Sequence, residues 1–76
     1  MKVVIAKVDE NLYDGEATSL TVPGAAGEMT VLPEHMPIMT TLKQGTITVR
    51  GPEGEKTFDI ESGVLEVRRD GATVIL

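Results

Sequence analysis

The chain carries one imidazole, His35, inside the segment Val-Pro-Gly-Ala-Ala-Gly-Glu-Met-Thr-Val-Leu-Pro-Glu-His-Met-Pro-Ile-Met, residues 22–39. The same stretch holds three of the four prolines and three of the four methionines. Nucleophilic catalysis by His35 needs a serine or threonine beside it and an acid to orient the ring. Ser19 and Ser62 fall in strand or turn contexts, with no nucleophile-elbow pattern around them. A zinc site needs three or four ligands at characteristic spacing, and one histidine with scattered carboxylates does not supply it. With no cysteine there is no disulfide, no thiol chemistry and no thiolate ligand. The acid pair Asp9-Glu10 could serve acid–base chemistry, but a solvated strand end is the plainer reading. The eight glycines form no P-loop or dinucleotide fingerprint and read as turn residues. Arg68-Arg69 reads as charge balance across a hairpin rather than a phosphate site. Lys43, the only central lysine, lies in Thr-Leu-Lys-Gln-Gly, where a carrier domain would be modified.

Positioning such groups falls to a small scaffold. Seventy-six residues make one domain, residues 1–76. A chain of this size buries only about 60% of the surface its unfolded form exposes. Tyr13 and Phe58 are the only aromatics, so Val, Ile, Leu, Met and Ala must fill the core. Met29, Met36 and Met39 either fill core gaps or lie partly exposed as an adaptable contact patch. The net charge of −5 disfavours nucleic acid and anionic lipid as partners. The N-terminal apolar run is too short for a signal peptide, and no stretch approaches a membrane span of about 20 apolar residues. These features predict a soluble, cytoplasmic protein with no direct membrane insertion.

Turn signals recur at short intervals: Asp14-Gly15, Pro23-Gly24, Pro33-Glu34, Gln44-Gly45, Gly51 to Gly54, Ser62-Gly63 and Asp70-Gly71. Between them the sequence alternates. Ile47 and Val49 are predicted to face inward, as are Phe58 and Ile60, and Leu20 and Val22 together with Thr18. Gly51 to Gly54 reads as a hairpin tip, and Asp70-Gly71 as the centre of a type I′ turn. No window carries a helical stripe. Period two with frequent turns predicts an all-β sandwich or barrel.

Residues 22–39, continued by Thr41-Leu-Lys-Gln-Gly45, closely resemble the signature of the F-type ATP synthase epsilon subunit, PGxxGExxVLPxHxPLxTxLxxG. Leu12-Tyr-Asp-Gly-Glu-Ala17, Ser62-Gly-Val-Leu-Glu-Val67 and Thr73-Val-Ile-Leu76 extend the resemblance to the N-terminal domain of that family over the whole chain. Glu61-Ser-Gly departs from the Gly-Gly pair of many members. The resemblance implies a flattened β-sandwich of about 8–10 short, mostly antiparallel strands without substantial helix. It implies a non-catalytic part of the central stalk, with no cofactor and no metal, docking the gamma subunit to the c-ring and helping couple proton or sodium flow to ATP synthesis. Glu28, Met29, Glu34 and His35 would face the c-ring loops. Leu12, Tyr13 and Met39 would face gamma, and Val31, Leu32 and Ile38 would fill the sandwich. The isolated chain would be a monomer. In its complex it would lie peripherally on the cytoplasmic side of the bacterial plasma membrane. Family members generally continue into a C-terminal helical hairpin, so this stretch would not carry that hairpin's inhibitory or ATP-sensing roles. The alternative is a lipoyl- or biotinyl-type carrier modified at Lys43, although the usual Met-Lys-Met or Asp-Lys-Ala context is absent.

Overall fold

A computed structural model describes all residues 1–76 as nine strands with no helix. In order they are β1 (Lys2–Lys7), β2 (Glu10–Glu16), β3 (Ser19–Gly24), β4 (Gly27–Val31), β5 (Ile38–Leu42), β6 (Gly45–Gly51), β7 (Gly54–Ile60), β8 (Gly63–Arg68) and β9 (Gly71–Ile75). Strands β5-β8-β9-β1-β2 form one layer and β4-β3-β6-β7 the other. A single pairing, Gly24 with Leu42, joins the layers, so the whole is one sheet curled on itself. Every pairing is antiparallel except β1 with β9.

Alternation builds the core. Val3 and Ile5, Leu20 and Val22, Ile47 and Val49, and Leu65 and Val67 point inward and are buried, joined by Val31, Leu42, Ile60 and Val74. With Ala17 and Ala72 they make one cluster of 14 aliphatic residues. Burying one Val, Leu or Ile contributes about 1.5–3 kcal/mol, so the aliphatic interior alone accounts for cohesion. No buried side-chain polar atom lacks a hydrogen-bond partner.

Several local expectations are corrected. Thr18 does not share the inner face with Leu20. It precedes β3, is exposed, and its hydroxyl donates to the Arg50 carbonyl at 3.1 Å, while Ala17 enters the core instead. Leu32 does not fill the sandwich. Val31 takes the inner phase of β4, so alternation turns the next residue outward, and it is 56% exposed. Pro23-Gly24 is strand rather than turn, and the connection is Ala25-Ala26. Asp70-Gly71 is not a type I′ turn, because neither residue has positive φ. The two-residue connection is Arg69-Asp70, and Gly71 closes the hairpin opposite Arg68. Glycine stands there for space. A Cβ on Gly71 would collide with the backbone carbonyl of Lys2, its partner in the parallel β1–β9 ladder.

The opposite case is Glu34. The His35 amide donates to the Leu32 carbonyl at 3.2 Å, with Pro33 and Glu34 between them. Glu34 has φ of 64°. Proline followed by positive φ defines a type II turn, whose third position normally takes glycine. A non-glycine residue held there costs about 1–2 kcal/mol.

Two outcomes test these backbone arguments by urea denaturation. Gly71→Ala should lower stability by about 3 kcal/mol, the upper range for overpacking, because backbone cannot move aside as a side chain can. Glu34→Gly should raise it by about 0.5–1 kcal/mol. Relief of left-handed strain there exceeds the added entropy of the unfolded chain.

Candidate interaction surfaces

Glu28 lies on β4, a strand paired only with β3, and projects outward opposite Pro23. Met29, next along, turns inward opposite Val22 and packs against the core. Glu34 and His35 follow in the Pro33–Pro37 loop. Neither Glu28 nor Glu34 has an ion-pair partner within the chain, so both carboxylates are free for an external cation. The His35 Nδ1 lies 2.8 Å from the Met36 carbonyl oxygen. Since a carbonyl only accepts, Nδ1–H is the donor, which leaves Nε2 as the acceptor atom of the ring. No hydroxyl or carboxylate bonds this ring, and no three His, Asp or Glu side chains gather closely enough to hold a metal. Of the four residues the sequence assigns to the ring side, Glu28, Glu34 and His35 are outward or in the loop, and Met29 is half-buried.

The residues assigned to the gamma side do not form one patch. Met39, on β5, is 70% exposed opposite Glu66. Leu12 and Tyr13 lie on β2, at the far edge of the same layer. Four strand spacings separate these edges, about 19 Å. A bulge between Ile5 and Ala6 leaves Leu12 unpaired, and both Leu12 and Tyr13 pack partly against the core. Tyr13 meets Phe58 of β7 edge-on, with ring centres 6.3 Å apart. Its hydroxyl donates to the Glu16 carbonyl at 3.1 Å.

Two exposed apolar residues bridge part of that distance. Val64 on β8 lies opposite Ile75 on β9, and they are 37% and 50% exposed. Both lie on the outer face with Met39, and Leu32 and Met36 add further exposed apolar surface in the neighbouring loop. The pairing shift was not legible from sequence, but one signal was. Leu65 and Val67 face inward, so Val64 must face out, where it adds apolar surface to the outer face. The outer face of the other layer differs. Thr30, Thr21, Thr48 and Thr57 stand in one row across four strands, with the Thr21 and Thr30 hydroxyls 3.1 Å apart. Lys43 is exposed in the short connection between β5 and β6, and its amide donates to the Pro23 carbonyl at 2.9 Å.

The chain is similar to known proteins over most of its length. ATP synthase epsilon chain 2 of Burkholderia orbicola is 43% identical across 99% of this chain and 51% of its own length. The epsilon chain of Caulobacter vibrioides is 39% identical across 88% of this chain and 78% of its own. That of Jannaschia sp. is 33% identical across 99% of this chain and 57% of its own. The chain therefore spans about half the length of most of these curated relatives. The fold recurs in a chain of the Euglena gracilis mitochondrial ATP synthase, with TM-score 0.87, 22% identity, and coverage of 96% of this chain and 48% of that one. It recurs also in the Tetrahymena thermophila mitochondrial ATP synthase central stalk and c-ring, with TM-score 0.82, 11% identity, and coverage of 97% and 60%. The family model for the β-sandwich domain of the ATP synthase delta/epsilon chain matches residues 1–76, and the chain belongs to that family.

Proposed function

We propose that this domain is a structural, non-catalytic element of an ATP synthase central stalk, joining a gamma-type subunit to the loops of a c-ring. The observation that carries the reading is the asymmetry of its two outer faces. One presents Met39, Val64 and Ile75, and the other a row of threonines. Exposed apolar residues clustered on one face favour a protein contact there. The gamma-type partner covers this face from Met39 toward the β2 edge, where Leu12 and Tyr13 form its far rim. The unpaired carboxylates Glu28 and Glu34, with His35 and the half-buried Met29 behind them, meet basic groups on the ring through charge-assisted contacts. Coupling, in this reading, is mechanical: the domain itself makes and breaks no bond. It reaches the membrane surface through its partners, on the cytoplasmic side. No helix is long and apolar enough to cross a membrane.

Co-purification with the gamma subunit from the same source tests the assignment, and failure to form a complex at micromolar concentration would refute it. Ile75→Asp should weaken that complex about tenfold or more, as expected for a charge placed in the centre of an apolar contact. Glu28→Lys separates the two docking sites. Its stability should stay within about 0.5 kcal/mol of the parent, because an exposed edge-strand carboxylate without a partner carries little folding energy. Gamma binding should persist, while docking to the isolated ring weakens, with the difference shrinking as salt screens the contact.

A further inference from the structure

The chain has no cysteine, so its only sulfur is in four methionines. The fold sorts them into two pairs. The Met1 side chain is only 3% exposed. Met29 packs against the core, and its Sδ lies 3.5 Å from where a Cβ on Gly24 would stand, so the glycine leaves it a niche. Met36 and Met39, by contrast, are 77% and 70% exposed. A thioether in solvent meets an oxidant freely, and an enclosed one does not.

The two exposed sulfurs have different surroundings. Met36 lies in the loop between Pro33 and Pro37. Met39 lies on β5, and Val64 is its diagonal neighbour across the ladder, about 7–8 Å away. From Val64 the outer row continues through Ile75 to Ala6, across β8, β9 and β1. Directly opposite Met39 stands Glu66, whose carboxylate accepts from the Arg68 guanidinium at 3.2 Å. Arg68 is also engaged with Thr73 and Asp70. An oxygen added to the Met39 sulfur would thus sit beside apolar groups and an acceptor-only carboxylate whose own donor is already in use.

We propose that Met39 is a redox-sensitive modification site, at which oxidation by a hydroperoxide blocks docking of the partner on the Met39–Val64–Ile75 face. Since this regulates the face assigned to the gamma-type subunit, it rests on that assignment. A sulfur lone pair attacks the terminal peroxide oxygen and the S–O bond forms. The O–O bond breaks, and the leaving oxygen takes the proton away as water or alcohol. Sulfur is oxidised and the peroxide reduced, and the product is methionine sulfoxide. The change turns a flexible apolar anchor into a strong acceptor. Burying that acceptor under an apolar contact without a donor is costly. Exposure of the sulfur in the free domain, and its cover by a seated partner, place the switch at assembly. A sulfoxide reductase reverses it.

The test treats the 76-residue chain with hydrogen peroxide and maps each methionine by peptide mass. Met36 and Met39 should gain oxygen at least about tenfold faster than Met1 and Met29, which need local opening first. The amide spectrum should stay native, since neither exposed sulfur supports the core. Affinity for the gamma subunit should fall about fivefold or more, and methionine sulfoxide reductases A and B should restore it. Each variant is compared with itself before and after treatment. Met36→Leu should show the same fall, and Met39→Leu none, whatever its starting affinity. Met1 or Met29 reacting as fast as Met39 overturns the sorting. A fall that persists in Met39→Leu, or that comes with loss of the native spectrum, overturns the assignment to Met39. A chain that binds no gamma subunit before treatment refutes the stalk reading and the switch with it. Binding that survives complete oxidation of Met39 refutes the switch alone.

Discussion

The fold rests on aliphatic side chains meeting between two sheet layers, with no disulfide, no tryptophan and no buried polar network to assist. In a chain this small the margin is thin, so the inner phase of most strands is given over to Val, Ile or Leu. Close packing then dictates details elsewhere. The parallel β1–β9 pairing brings Lys2 so near Gly71 that any side chain there is excluded. Pro23 packs against Gly45 for a related reason, since the corner where the chain passes between layers leaves no room for a Cβ. Such positions read as turn glycines in a sequence, yet at Gly71 the requirement is volume.

A core built wholly from the inner phase leaves the outer phase free, and the two outer faces have diverged. Threonine, small and β-branched, suits an exposed strand and pairs across it through hydroxyls, as Thr21 and Thr30 do. Met39, Val64 and Ile75 gain nothing from solvent on the other face. Only a second molecule would bury them, and in the proposed reading the gamma-type partner covers this face across β5, β8 and β9.

Much of the architecture was legible in the sequence because period two is a strong signal where one face is buried. Ile47, Val49, Leu20, Val22 and Ile60 all point inward as the alternation predicts. The Gly51–Gly54 tip also stands where expected, closed by Gly51 opposite Gly54. What escaped depends on pairing. Alternation says that Val64 faces out, but not that Ile75 stands beside it. It places Leu12, Tyr13 and Met39 on strands, but not on strands at opposite edges of a layer. Leu32 is a different case: alternation after the buried Val31 already turns it outward, and assigning both residues to the core overrode that phase. The motif resemblance carried the identity of the family without carrying this spatial separation.

The turn at Glu34 shows how stability and contact are divided in the molecule. Left-handed glutamate is an expense that glycine would remove, and nothing inside the chain compensates it: the carboxylate has no ion-pair partner. In the proposed reading the return comes on binding, when the carboxylate meets a basic group of the ring. Flanking Pro33 and Pro37 restrict the loop, and the His35 ring is held by its bond to the Met36 carbonyl. The carboxylate is therefore presented from a backbone whose freedom is already reduced, which lowers the ordering cost of an encounter. The loop keeps its charged groups off the core, and the aliphatic interior supplies the stability that this separation demands.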